Sequence, residues 1–203
     1  MGDAQDIPPQ HGEGDHVEHG GGVAQPLRQP AAATSPVRGG IITAYGLAAV
    51  IFILDQLSKL AMIYPLALHQ RGQIALLPIF NFTWTENRGI SLGFGQAETD
   101  LQRWLLVAGT AVIAAIVAWW IKREEKGGER MALALVLGGA LGNIVDRVRL
   151  GYVVDFLDLH FGEWRPFLVF NVADAAISIG VVILLLRAVF IRPAAPEENI
   201  DHA

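Results

Sequence analysis

Apolar positions run on in four long stretches of this chain, at roughly residues 41–66, 101–121, 131–150 and 173–191. Each is close to the ~20 residues that a ~30 Å hydrocarbon core requires of a helix, so the pattern predicts four spanning helices. Between the first two stretches the period changes. Phe80, Phe82 and Trp84 alternate, Glu86-Asn87-Arg88-Gly89 interrupt, and Ile90, Leu92 and Phe94 alternate again. That is a strand, turn and strand signal. An open hairpin cannot sit in lipid, so it is expected on the membrane surface or against protein, with its aromatic face at the interface. The fold class predicted is therefore an all-α membrane protein with four transmembrane helices and a small β hairpin, or cradle, on one face.

Composition supports the membrane and sets the boundaries. Of 203 residues 52% are hydrophobic and 17% charged, with a mean hydropathy of +0.39. The first forty residues dilute that mean: they hold Gly, Pro, His, Asp and Glu and hardly any aliphatic side chain, too little to offset the entropy of ordering. Residues 1–40 are expected to be a disordered extension, 41–192 a membrane domain with its cradle at about 71–99, and 193–203 a cytoplasmic tail. His16 and His19 lie in the extension without a third ligand and read as a solvated tail. The net charge of −5 is modest, with the acids concentrated at the two ends, and says nothing about nucleic acid; no basic patch is visible, and no nucleic-acid partner is expected. The chain has no cysteine, so thiolate metal sites and a cysteine nucleophile are excluded.

Loop charges give an orientation. Lys122, Arg123, Lys126 and Arg130 crowd the loop between the second and third spans, and Arg28, Arg38, Arg187 and Arg192 flank the ends. The positive-inside rule then makes both termini cytoplasmic. With the helices running in those directions, Asp55 and Lys59 of the first span, Asn143, Asp146 and Arg147 of the third, and Asp174 at the start of the fourth all reach the outer boundary. The hairpin with Asn87 and the loop with Asp155 lie on that side too. The second span is read as free of internal charge. Asp55 and Lys59, four apart with the acid first, form a favourable pair, and Asn143, Asp146 and Arg147 form one stripe. Arg149 reads as a side chain snorkelling to the headgroups.

Ionisable groups in a membrane are costly enough to require a reason, and a pair of aspartates supplies one. Two close carboxylates do not both ionise easily, so the pair holds one proton and offers a base and an acid. Asp174, at a helix N-terminus, is the natural member to stay charged, which leaves the proton to Asp155. The base activates a water against a peptide carbonyl and the acid protonates the carbonyl oxygen. No covalent intermediate, metal or cofactor is needed.

These residues resemble lipoprotein signal peptidase, the signal peptidase II family of bacterial membrane aspartyl peptidases. The likeness rests on five ordered blocks: DQLSK at Asp55 to Lys59, ENRGISLGF at Glu86 to Phe94, GGALGNIVDR at Gly138 to Arg147, GYVVDF at Gly151 to Phe156, and FNVAD at Phe170 to Asp174. It implies four helices with a periplasmic cradle in the cell inner membrane. It also implies cleavage of diacylglyceryl-modified prolipoproteins just before the lipidated cysteine, and sensitivity to globomycin. By position, Asp155 and Asp174 would be catalytic. Asn87, Asn143, Arg147 and Asn171 would bind substrate or orient the dyad, with Asp55, Lys59 and Asp146 as structural polar residues. The chain departs from the common pattern at Ile90-Ser91-Leu92 and at Ala175, which bears on substrate preference.

Two other readings were weighed. A Ser-Lys peptidase would use Lys59 with Ser58, Ser91 or Ser178, but Ser58 points away from its neighbour and Ser178 lies about a turn into another span. An intramembrane proton or ion pathway without peptidase activity would string ionisable groups across the membrane depth. Here they gather at one boundary.

Overall fold

The computed structural model describes residues 36–89 and 100–190, with side chains from Gly39 onward. Helix α1 (Pro36–Ile63) is followed by a single turn, α2 (Leu68–Arg71), and by strands β1 (Gln73–Leu77) and β2 (Phe80–Asn87). Helices α3 (Asp100–Arg123) and α4 (Gly127–Leu150), strand β3 (Val153–Leu159) and helix α5 (Val172–Phe190) complete the order. Among the described residues four helices are long and apolar enough to cross a membrane, the shortest being α5 with 19 residues, or about 28 Å at 1.5 Å per residue. The protein is a multi-pass membrane protein.

The bundle is built around α4, half of whose most apolar window is buried against 17% for the other three spans. Small residues let its neighbours approach. A Cβ on Gly138 would stand 2.5 Å from the Ala48 carbonyl oxygen of α1, and one on Gly139 would stand 2.5 Å from the Ala173 oxygen of α5. Gly142 has the Asp55 carboxylate in the same position. Alanine also fills the α1–α4 seam at Ala44, Ala48 and Ala134. Large apolar side chains such as Leu57, Leu105, Ile116 and Leu185 point outward, as a lipid-facing surface requires.

Gly139→Ala is expected to destabilise the protein by about 1 to 3 kcal/mol, although alanine is the better helix former by ~1 kcal/mol. The new methyl would meet a backbone oxygen at the first turn of α5, which cannot rotate away. Thermal unfolding in detergent checks this, and a midpoint equal to the parent's or higher would show that the seam yields.

The sheet corrects the expected hairpin. The turn lies at Pro78-Ile79, and Glu86-Asn87 do not form it but end β2. The sheet has three strands in the order β1-β2-β3, both pairs antiparallel. Ile90, Leu92 and Phe94, the expected second strand, lie outside the described residues. Asp155 is not in a loop: it sits on β3 opposite Thr85, with Asn87 opposite Val153. Val153, Val154 and Phe156 are all buried, because one face of β3 meets Met62 and Leu68 and the other meets the polar end of the bundle. The second span is not free of charge either. Arg103 of α3 donates from Nε to the Arg147 oxygen at 2.8 Å and from Nη2 to the Val148 oxygen at 2.6 Å, satisfying carbonyls that a helix end leaves unpaired.

Candidate functional site

The C-terminal ends of α1 and α4, the N-termini of α3 and α5, and the sheet meet at one end of the bundle. Chain geometry brings the polar residues there step by step. α4 stops at Gly151, whose φ of 88° suits glycine and whose N–H donates to the Arg147 oxygen. β3 then starts, tied back to α4 by the Val154 N–H donating to Asp146 Oδ2 at 3.3 Å. The chain turns and returns at Phe170, which exchanges backbone hydrogen bonds with Leu157. That bridge sets the next residue, Asn171, beside Asp155.

Asn171 caps α5. Its Oδ1 accepts from the Asp174 N–H at 2.8 Å, and its own N–H donates to Asp174 Oδ2 at 3.3 Å. This is a reciprocal capping box with an aspartate in the third position. The Ala173 N–H finds Asp55 Oδ1 of α1 at 3.0 Å, so two elements close the helix end. From the same Asn171, Nδ2 donates to Asp155 Oδ1 at 2.6 Å. One asparagine therefore joins the two carboxylates.

The remaining contacts complete the arrangement. Asn87 Nδ2 donates to Asp155 Oδ2 at 3.1 Å, and Asn143 Nδ2 donates to Asp174 Oδ1 at 2.8 Å. Lys59 binds Asp55 Oδ2 at 2.8 Å and Asp146 Oδ2 at 2.7 Å. Arg147 is half-buried beside Asp174, Asp155 and Asp146. Among the described residues its Nη1 has a 3.4 Å contact to the Asn143 oxygen and its buried Nε has no partner. Burial, and after it the negative charge of Asp174, pushes the Asp155 carboxyl up to about 7, against the opposing hydrogen bonds from Asn87 and Asn171 and the charge of Lys59. A carboxyl in that range holds a proton near neutrality and can give it up.

The nine residues expected at the site, Asp55, Lys59, Asn87, Asn143, Asp146, Arg147, Asp155, Asn171 and Asp174, thus form one connected network. Sequence reasoning missed two members. Gln56 donates to Asp146 Oδ1 at 3.0 Å and to Asp55 Oδ2 at 3.2 Å, and Arg103 fixes the end of α4. Gln56 offered a signal, being an amide between the polar residues of one helix face. Ser58 donates to the Asp55 carbonyl at 2.7 Å, and each Lys59 proton has an acceptor, so neither is set up as a nucleophile and its base.

Such a fold and site define a membrane enzyme whose polar centre is built from carboxylates and carboxamides. The sequence pattern described as signal peptidase (SPase) II matches residues 47–190. A lipoprotein signal peptidase of Rhizorhabdus wittichii is 59% identical over 158 residues, covering 77% of this chain and 92% of that protein. One of Sphingopyxis alaskensis is 56% identical over 152 residues, covering 75% and 88%. A bacterial membrane enzyme structure determined in meso at 1.9 Å aligns with a TM-score of 0.64 at 26% identity, covering 75% of this chain and 96% of that one. The chain belongs to the signal peptidase II family, and it is a peptidase. A proton or ion pathway without peptidase activity is not favoured.

Proposed function

We propose that this protein removes signal peptides from diacylglyceryl-modified prolipoproteins, cutting just before the lipidated cysteine, with Asp155 and Asp174 as the catalytic dyad. The observation that carries the reading is the single Asn171 bridging two carboxylates from separate segments, one of them raised toward neutrality. In this reading Asp174 takes a proton from a water, whose oxygen attacks the scissile carbonyl carbon. Asp155 gives its proton to the carbonyl oxygen. The tetrahedral intermediate then collapses: Asp155 takes a proton back from the diol oxygen, Asp174 gives its proton to the amine nitrogen and the C–N bond breaks, which restores the singly protonated dyad.

Arg147 has donors without a partner among the described residues, so it is assigned to a substrate oxygen, with Asn87, Asn143 and Asn171 orienting the dyad. Arg147→Gln is expected to lower kcat/KM by about 10² to 10³, the usual effect of removing one donor to a developing oxyanion. Steady-state kinetics on a synthetic diacylated substrate measure it, and a loss below about fivefold would take Arg147 out of the site.

The site end is assigned to the outer, periplasmic face of the inner membrane, with both termini cytoplasmic. Residues 1–40 are assigned to an extension outside the 41–192 peptidase domain, and 193–203 to a tail. Surrounding lipid delivers the substrate's acyl chains, and globomycin is the expected inhibitor. The deciding assay gives purified protein a diacylated prolipoprotein and, separately, its unmodified precursor. Cleavage of the first alone supports the proposal, and equal cleavage of both, or of neither, refutes it.

A further inference from the structure

Lys59 is 2% exposed and bonds to neither carboxylate of the proposed dyad. Its ammonium has three protons and three oxygen partners: Asp55 Oδ2 at 2.8 Å, Asp146 Oδ2 at 2.7 Å and Asn143 Oδ1 at 3.1 Å. Two anions are more than enough to neutralise one cation, so the third contact has another consequence. The oxygen and nitrogen of a carboxamide have nearly the same size, and shape alone does not choose between its two orientations. An ammonium chooses, because it only donates.

We infer that Lys59 is a positioning residue that sets the direction of the Asn143 and Asn171 amides, so that both present N–H donors to Asp155 and Asp174. This rests on the dyad reading above. With its oxygen held by Lys59, Asn143 turns its NH2 group to Asp174 Oδ1 at 2.8 Å. The same oxygen accepts from Asn171 Nδ2 at 3.2 Å, which draws that NH2 group to the side where it also meets Asp155 Oδ1 at 2.6 Å. The Asn171 oxygen is left for the Asp174 N–H at 2.8 Å. Reversing Asn143 would set its NH2 against the Lys59 ammonium and the Asn171 NH2, and its carbonyl against the Asp174 carboxylate. Three repulsive contacts would appear together, each a buried polar group without a partner. A single cation on α1 thereby fixes the polarity of amides on α4 and at the head of α5.

The test must separate polarity from charge. The charged groups around these amides are Asp55 and Lys59 of α1, Asp146 and Arg147 of α4, Asp155 of β3 and Asp174 of α5. The double variant Lys59→Met/Asp55→Asn removes one cation and one anion, so the net charge of the cluster is unchanged, and the new asparagine keeps an oxygen for the Ala173 N–H. On a diacylated substrate its kcat is expected to fall by about 10- to 100-fold with KM within about threefold. The basic limb of its pH profile should move to higher pH, since Asp155 loses the Asn171 donor that favours its ionised form. In an Asn143→Ala background the same pair should cost less than about threefold more, because the amide it acts through is gone.

Losses that multiply in that background, or a fall in kcat with the basic limb unmoved, would reduce Lys59 to a structural partner and overturn the inference. Asn143→Ser, which adds no charge, is the second variant, for the case in which the double variant does not accumulate. It keeps an oxygen but has no NH2, and it is expected to show the same shift and loss; wild-type kcat and pH profile would overturn the inference. Asp155→Asn is assayed beside them. Continued cleavage there defeats the dyad itself, whereas an inactive Asp155→Asn with unaffected Lys59 and Asn143 variants defeats only the positioning role.

Discussion

Asp155→Asn and Asp174→Asn should each lower prolipoprotein cleavage by roughly 10³ to 10⁴, while the protein still accumulates in the membrane. General acid–base catalysis by a placed group contributes on the order of 10² to 10⁴, and two groups acting on one water fail together when either is removed. Asparagine keeps the size of aspartate but cannot exchange a proton at pH 7. At position 155 it retains one oxygen for the 2.6 Å bond from Asn171. At position 174 it retains one for Asn143 or for the backbone N–H of Asn171. Folding should therefore survive, and thermal unfolding of both variants should stay cooperative. The readout is the rate of signal-peptide release from a diacylated substrate by purified protein. A rate within tenfold of the parent for either variant would remove that carboxyl from the chemistry.

The parts of this molecule that could be read from its sequence are those fixed by local spacing. The four spans follow from run length alone, because lipid tolerates no unsatisfied backbone. Asp55 and Lys59 are one helical turn apart, so their pairing was visible; the bonds from Lys59 to Asp146 and Asn143 join residues more than eighty positions distant and were not. The strand at Phe80, Phe82 and Trp84 is β2, but its turn to β1 is not marked in the sequence, for an identifiable reason. The turn from β1 to β2 is Leu77-Pro78-Ile79-Phe80, which contains none of the Gly or Asn that mark hairpins, whereas Asn87-Arg88-Gly89 looks like a turn and begins at the last residue of β2. β3 escaped notice because a strand buried on both faces loses its alternation: Val153, Val154, Asp155 and Phe156 are all buried. Arg103 was passed over since it sits in the first turn of an apolar helix, and only the adjacent end of α4 reveals its use. The converging depth of the polar residues was nonetheless legible, because helix direction alternates from span to span.

The second large effect is in pH. With the Asp155 carboxyl at about 7, the proposed acid is protonated at pH 6 and largely ionised at pH 8. Above 7 the dyad becomes doubly anionic, so kcat/KM should fall about tenfold per pH unit on the basic side. Stability should follow the same group. Its folded value lies above its unfolded value of 3.8, so between pH 4 and 7 the native state binds more protons than the unfolded chain. The contribution is fully present below about pH 4 and is lost as pH rises through 7. At 1.36 kcal/mol per unit, a difference from 3.8 to about 7 corresponds to about 4 kcal/mol. Asp155→Asn replaces the carboxyl with a group that stays neutral, so the variant should unfold at a higher temperature than the parent at pH 8, by several degrees, and show less dependence on pH from 4 to 7. Burial is the first cause of the raised value and the charge of Asp174 the second. Asp174→Asn should therefore lower the Asp155 value and narrow the pH range over which stability is lost, without abolishing that loss. Unfolding midpoints measured in detergent from pH 5 to 8 for the parent and the two variants decide the matter. Equal slopes in the parent and in Asp155→Asn would mean that Asp155 is ionised throughout that range, and the assignment of the acid would have to pass to its partner.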